Sequence, residues 1–360
     1  MTKRYDQFIF FSAGPVGDHA LILDDANRFF ESTGIGATII LKHYFPLLSG
    51  MSAPYPHIKN IEWESLRGKI AFKWLLFSSI WRKNCFVLVL PLKHPFYFKL
   101  IAWYVRFCTR SRMVGLNLEG SKTFPVGRGS ASFLGKENII PARVDTELFY
   151  EQANRMLLWL GCRPVSRPPT LAFVNDDAVP QKFNLASGAY IVMHLAASGP
   201  DRSLPAARWN GIIKVIQEKL PEVKIVFTGS KKDVRFVGSC IAGLPTKNLV
   251  NLCGRTESMQ ELLNVYAKAE LTVCVHTGNA IIVNMLHVPT VMVAIKGVHM
   301  FNYAFNPLAT ILTATKDCTC DPYERGCTMI PYKGGEYMAC VFNIPDADIV
   351  NAVLKKHEGK

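Results

Sequence analysis

Val273-Cys274-Val275-His276-Thr277-Gly278-Asn279-Ala280-Ile281-Ile282-Val283 is the stretch on which the reading of this chain turns. The apolar run Leu271 to Val275 has the length and make-up of a parallel strand buried on both faces. It ends at His276-Thr277-Gly278, and Asn279 to Leu286 then reads as a helix. A glycine at a strand-to-helix turn lets the backbone approach a ligand closely. The N–H groups of a helix's first turn have no partner inside the helix, and with the helix dipole they make a place for phosphate. The same pattern also serves as a plain β–α connection in many α/β domains, so the rest of the chain must decide between the two.

A chain of 360 residues sets an expectation of two domains, each with its own core. Hydrophobic residues make up 49% and charged residues 19%, which excludes a disordered chain. The net charge of +13 suits an anionic partner: nucleic acid, a membrane surface or a phosphorylated substrate. The basic residues are scattered and no nucleic-acid-binding motif appears, so nucleic acid is not expected. Of the ten cysteines, most stand singly in apolar runs, as Cys85, Cys108, Cys253 and Cys274 do, in the manner of buried free thiols. The opening Met1-Thr2-Lys3-Arg4 leads straight into a strand without a secretory pattern. No apolar run reaches the roughly 20 residues of a membrane span. A reducing cytoplasm is the expected compartment, with the inner face of the membrane as a peripheral site.

Along the chain, strands alternate with helices. Phe8 to Ala13 reads as a strand, Gly14-Pro15-Val16-Gly17-Asp18 as a tight loop and His19 to Glu31 as an amphipathic helix. Ala37 to Leu41, Cys85 to Leu90 and Met113 to Leu118 are further strands. Glycine-rich Phe124 to Ile140 reads as long loops, and Glu147 to Leu160 as a helix. Residues 164–170 are a proline-rich link. The second half repeats the alternation from Ile191 to the closing helix Asp346 to Lys356, which can pack back on the first half. The expected class is therefore α/β: two Rossmann-like domains, 1–163 and 171–360, facing each other across a cleft. Open parallel sheets bind ligands at the carboxyl ends of their strands, and two such ends favour a two-substrate transferase.

Two helical stretches stand apart. Arg67 to Lys83 and Lys93 to Arg112 are rich in Trp, Phe and Tyr and bracketed by Lys and Arg. Basic residues beside aromatics suit a helix resting on an anionic bilayer. Sheet-covering helices with basic ends have the same composition, and one exposed apolar edge would satisfy both roles.

Four segments together resemble glycosyltransferase family 9, the heptosyltransferases of lipopolysaccharide assembly. Gly14-Pro15-Val16-Gly17-Asp18 looks like the family's G-x-x-G-D loop. His194-Leu195-Ala196-Ala197, Arg202-Ser203-Leu204-Pro205 and Arg208-Trp209 are similar to H-x-G-A, K-x-W-P and R-W. Asn251-Leu252-Cys253-Gly254-Arg255-Thr256 leads into Met259-Gln260-Glu261-Leu262, like N-L-x-G-x-T and L-x-E-L. His276-Thr277-Gly278 stands at the place of D-T-G-P-x-H, with His276 for the acid, Asn279 for the proline and Ile281 for the following histidine. Arg202 replaces a lysine. The resemblance implies a GT-B fold, with the acceptor held by the first domain and the nucleotide sugar by the second. It also implies an inverting transfer from a nucleotide-diphosphate donor to a lipopolysaccharide-core or other lipid-linked acceptor. A protein-modifying glycosyltransferase and a non-catalytic binding protein on the same shell stay open, the latter because of the altered His276-Thr277-Gly278-Asn279.

Glycosyl transfer with inversion needs a base for the acceptor hydroxyl and positive charge for the departing diphosphate. The resemblance puts the base at Asp18, which as a helix N-cap would have a structural use instead. Gly14, Gly17 and His19 frame it in the acceptor loop. Arg202 is suited to a bidentate clamp on the diphosphate. Thr277 and Gly278 offer backbone N–H groups and a hydroxyl, His276 can touch the donor or serve as a satisfied structural histidine, and Asp233 can accept from ribose or serve its own helix. No cofactor is required. Cys318, Cys320, Cys327 and Cys340 gather near the C-terminus, where four thiolates can hold zinc or iron. Their C-x-C spacing is not that of a zinc ribbon, and free thiols are the alternative.

Overall fold

A computed structural model describes residues 5–12, 16–41, 48, 50–88, 95–119, 139–143, 149–296, 305–314 and 327–359. It divides into two compact units, Met1–Ala172 and Phe173–Lys360.

In the first unit six strands form one sheet: β1 (Gln7–Ser12), β2 (Ala37–Leu41), β3 (Ile58–Glu62), β4 (Asn84–Leu88), β5 (Arg112–Glu119) and β6 (Ile139–Arg143). Their order is β3-β2-β1-β4-β5-β6, and every neighbouring pair is parallel. Parallel neighbours need crossover connections, which here include α1 (Val16–Thr33), α2 (Leu66–Ser78) and α3 (Pro95–Cys108); α4 (Phe149–Trp159) follows β6. The two-residue period of β1 sorts its side chains between the two faces of the sheet. Phe8 and Phe10 meet Phe29 of α1 edge-on, at 4.8 and 5.3 Å between ring centres. Ile9 and Phe11 point the other way, into a cluster with Phe72 and Leu75 of α2 and Ile101, Ala102 and Val105 of α3.

Helix α2 ends at Ser78, short of the Lys83 suggested by its spacing. The Ser79 hydroxyl donates to the Leu75 carbonyl at 2.9 Å and accepts from the Asn84 amide at 2.8 Å. A serine that finds such partners competes with the helix ladder and stops it.

The proline-rich link lies along α1, held by charge. Arg28 is fully buried. Its Nε donates to Asp24 at 2.7 Å, and its terminal nitrogens donate to the carbonyls of Val165 and Arg167 at 3.0 and 2.7 Å. Arg167 bonds Asp24 at 2.5 Å and Glu31 at 2.9 Å. Buried charges persist only when paired and hydrogen-bonded, and this network satisfies both arginines. Burial and the neighbouring Asp24 push the Asp25 carboxyl well above the usual range.

The second unit repeats the plan with β7 (Tyr190–His194), β8 (Lys224–Phe227), β9 (Leu249–Asn251), β10 (Leu271–Val275), β11 (Thr290–Val293) and β12 (Ala309–Leu312). The order is β12-β11-β10-β7-β8-β9, again all parallel. Counted from its own first strand, each sheet has the 3-2-1-4-5-6 order of a dinucleotide-binding fold. Its helices are α5 (Ala178–Lys182), α6 (Ala206–Lys219), α7 (Val234–Ile241), α8 (Met259–Ala267), α9 (Gly278–Met285), α10 (Ala339–Phe342) and α11 (Asp346–Glu358). An antiparallel hairpin, β13 (Met329–Tyr332) with β14 (Gly335–Met338), precedes α10. The closing helix α11 packs against α6 and strands β10 to β12. Arg208 of α6 fastens it, donating from Nε to Asp346 at 2.8 Å and from its terminal nitrogens to the carbonyls of Phe342 and Ile344.

Replacing Arg28 by alanine should lower the unfolding free energy in urea by about 3 kcal/mol, the cost of leaving a buried pair unpartnered. Truncating the exposed Lys182, paired with Glu257 and Glu261, should leave the urea midpoint unchanged, because solvent screens the pair. A loss below about 1 kcal/mol for Arg28→Ala would contradict the clamp.

Candidate active site

A sheet whose first strand lies in the middle has a switch point, where neighbouring strands lead their connections to opposite sides. In the second unit this point lies between β7 and β10, which pair with His194 beside Cys274. Two segments leave from it: the loop after His194, and the turn His276-Thr277 that opens α9.

Thr277 is the N-cap of α9. Its backbone is extended, and its hydroxyl oxygen accepts from the Ala280 N–H at 3.4 Å. The N–H groups of Gly278 and Asn279, in the first turn, have no acceptor within the helix. The turn therefore sets backbone donors at the positive end of a helix.

A buried polar chain holds this turn in place. Asn279 Nδ2 lies 3.1 Å from His194 Nε2, His194 Nδ1 lies 3.2 Å from the Thr228 hydroxyl, and that hydroxyl lies 3.1 Å from the Tyr266 phenol. Burial pulls the His194 pKa down to about 4, so the ring is neutral near pH 7. With the Asn279 amide donating to Nε2, the ring proton sits on Nδ1 and points to Thr228. The chain links the ends of β7 and β8 to α8 and to the first turn of α9. His194 belongs to a segment picked out by the family resemblance but was given no role there, and Asn279 counted only as a departure. Contacts across 85 residues of sequence leave no periodic signal to read.

The loop after β7 brings in Arg202, which ends a short 3₁₀ turn, Pro200–Arg202. The loop is fixed by Ser203, whose hydroxyl donates to the Leu195 carbonyl at 2.7 Å and accepts from the indole of fully buried Trp209 at 3.1 Å. Strand β14 packs against the same turn. Arg202 acts electrostatically on His276: burial first, then the Arg202 charge, lower the His276 pKa to about 4. The structure thus brings Arg202, His276, Thr277 and Gly278 to one end of the sheet, with the imidazole uncharged.

Asp233 sits past the end of β8, in the turn after Gly229-Ser230. Its Oδ2 accepts from the Ser230 N–H and from the Ser230 hydroxyl, both at 2.7 Å, in a capping box. A Cβ on Gly229 would lie 3.0 Å from this side chain, so the glycine lets the turn close.

In the first unit Asp18 lies inside α1, in its first turn, and not in a loop before it. Helix α1 begins at Val16, three residues earlier than the sequence suggests. Asp18 is half-buried, and desolvation raises its pKa to about 6. Gly17 and His19 flank it; Gly14 lies outside the described residues. His19 is fully buried, its Nδ1 3.2 Å from the Ser12 hydroxyl, and burial lowers its pKa to about 3. It is a neutral tie between the end of β1 and the start of α1.

Of the four C-terminal cysteines, Cys318 and Cys320 lie outside the described residues. Cys327 is half-buried and Cys340 buried, and the bond from the Ala339 N–H to the Thr328 carbonyl, 2.9 Å, sets their neighbours side by side. Among the described residues no three His, Cys, Asp or Glu side chains gather as metal ligands.

Residues 167–330 match the sequence profile described as glycosyltransferase family 9 (heptosyltransferase). No curated protein sequence matches the chain. Among solved structures, the ADP-heptose lipopolysaccharide heptosyltransferase II of E. coli is similar, with a TM-score of 0.66 and 14% identity over 98% of this chain and 100% of that one. A family 9 glycosyl transferase from Veillonella parvula gives a TM-score of 0.70 and 13% identity, over 100% of this chain and 99% of that one. The E. coli heptosyltransferase WaaC, solved with ADP, gives 0.62 and 15%, over 98% and 99%. At such identities these likenesses speak for the fold, two Rossmann-like sheets of the GT-B kind. The chain has the GT-B fold, and its residues 167–330 resemble the family 9 glycosyltransferases.

Proposed function

We propose that this enzyme moves a sugar of the heptose kind from a nucleoside-diphosphate donor to a lipopolysaccharide-core or other lipid-linked acceptor, with inversion, at the inner face of the membrane. The observation that carries the reading is the meeting of a helix N-terminus, a glycine turn and the Arg202 cation at the second sheet's switch point, inside the matched residues 167–330. The WaaC structures contain ADP and ADP-2-deoxy-2-fluoro heptose.

In the proposed reaction the first unit holds the acceptor and the second holds the donor. Arg202 and the first-turn N–H groups of α9 hold the diphosphate, with the Thr277 hydroxyl donating beside them. His276 borders the donor as a neutral group, and Asp233 takes a ribose hydroxyl through its second carboxylate oxygen. The acceptor oxygen attacks the anomeric carbon on the face opposite the diphosphate. A new C–O bond forms as the bond to the phosphate oxygen breaks, and the electron pair leaves with the nucleoside diphosphate. Asp18 takes the acceptor proton. A base works best with a pKa near the working pH, and burial moves this carboxyl toward neutrality. Charge stabilisation comes from Arg202 and backbone donors, so transfer calls on no cofactor. A zinc or iron at the C-terminal cysteines would be structural.

The ionised carboxylate is the active form, so kcat/KM should fall as pH drops through about 6. Asp18→Asn should remove turnover and keep nucleoside-diphosphate affinity. The same shift carries a stability sign. A carboxyl whose folded pKa is raised favours the fold at low pH, and that contribution is lost as pH rises through about 6. Asp18→Asn should therefore raise the Tm at pH 8 and leave it nearly unchanged at pH 4. Turnover retained in the variant would remove Asp18 from the mechanism.

Arg202→Ala should weaken nucleoside-diphosphate binding by roughly 1.5–3 kcal/mol in calorimetry, the range for a hydrogen bond to a charged group. Unchanged affinity would contradict the clamp. Release of free nucleoside diphosphate only when donor and acceptor are both present separates this enzyme from a binding protein on the same shell.

A further inference from the structure

Helices α2 and α3 cover one face of the first sheet, yet each also carries a second apolar face. On α2 and the turn after it, Leu66, Ile70, Trp74, Phe77 and Trp81 recur at steps of four, four, three and four, which places them on one side of the helix. On α3, Leu100, Trp103 and Phe107 do the same. All eight are between 45% and 75% exposed. The inward side is separately occupied by Phe72, Leu75, Ile101, Ala102 and Val105. The outward stripes are therefore not core.

The two stripes are neighbours. The Tyr104 hydroxyl donates to the Leu76 carbonyl at 3.3 Å, which holds the helices side by side. The exposed rings touch along each helix: Trp74 with Phe77 at 5.7 Å, Phe77 with Trp81 at 5.0 Å and Trp103 with Phe107 at 5.9 Å. An exposed apolar area of this kind marks an interaction surface.

The charge around it selects the partner. Between Glu64 and Glu119 the chain holds ten Lys or Arg and no Asp or Glu. Exposed Arg67, Lys69, Lys73, Arg82 and Arg106 flank the stripes. A second copy of this chain would set like charges against each other across any two-fold contact. Single-stranded nucleic acid wants a groove of stacking rings, whereas Leu66, Ile70 and Leu100 are aliphatic and stand on convex helices. Trp and Phe with flanking Lys and Arg fit the headgroup level of an anionic bilayer, where rings sink into the interface and cations meet lipid phosphates.

We infer that the outward face of α2 and α3 docks flat on an anionic lipid bilayer through Trp74, Phe77, Trp81, Trp103 and Phe107. The inference rests on the proposed lipid-linked acceptor and supplies the surface by which the enzyme meets it. Among the described residues no helix is long and apolar enough to cross a membrane, so the contact is with one leaflet.

The test is co-sedimentation of the full chain with phosphatidylcholine vesicles, with and without phosphatidylglycerol. Binding should require phosphatidylglycerol, fall with added salt and shift tryptophan emission to the blue. A Trp74→Ser/Trp103→Ser double variant should lose roughly tenfold or more in partitioning, from lost apolar burial. Its Tm and its transfer to a soluble, delipidated acceptor should be unchanged. Absence of binding at low salt, or binding unchanged in the variant, would overturn the inference. So would a wild-type dimer in sedimentation velocity that the variant dissolves, or an oligonucleotide that displaces the vesicles. Vesicle binding without any sugar transfer would instead count against the proposed reaction and leave the docking face standing.

Discussion

Each sheet begins in its middle, and from that constraint the rest follows. With β1 beside β4 and β7 beside β10, the chain builds one half of each sheet, returns to the centre and builds the other half. The connections on the two sides of the switch point diverge, the place where open parallel sheets bind their ligands. In the second unit the loop after His194 and the Thr277-capped start of α9 meet there. The surrounding packing fixes that end: Trp209 and Ser203 hold the loop, and the chain from Asn279 to Tyr266 holds the helix.

Electrostatics agrees with the topology. His194, His276 and His19 are each held neutral by burial. In the proposed reaction a neutral His276 borders the donor, and Arg202 supplies the positive charge. Asp18 moves in the opposite direction, as a carboxyl does when water is withdrawn from its charged form. Burial thus brings the carboxyl toward neutral pH and takes charge away from the imidazoles, with the Arg202 charge adding to it at His276.

Much of this was legible from residue patterns, for reasons tied to burial. Strand β10 was read to the residue because a strand covered on both faces is an unbroken apolar run, and Leu271 to Val275 are all buried. Strands β3 and β12 escaped because they lie at sheet edges, where Ile58-Lys59-Asn60-Ile61-Glu62 alternates only loosely and Ala309 to Leu312 are half-buried. The start of α1 was placed late because Pro15 and Gly17 look like turn residues, whereas glycine is tolerated in a first turn whose partner is the end of a strand. Arg202 and Thr277 came from a family resemblance spread over four segments. The roles of His194, Thr228 and Asn279 exist only once β7, β8 and β10 are paired. Asp233 shows the limit of type-based reading: an acid after a Gly-Ser turn suits a ribose hydroxyl and a capping box equally, and here a box is formed.

The most direct measurement of the central claim is amide hydrogen exchange of the whole chain with and without a saturating nucleoside diphosphate. The account predicts slower exchange at residues 276–282 and 195–203, with the sheet cores unchanged. Protection confined to other strand ends, or no protection at saturation, would contradict it.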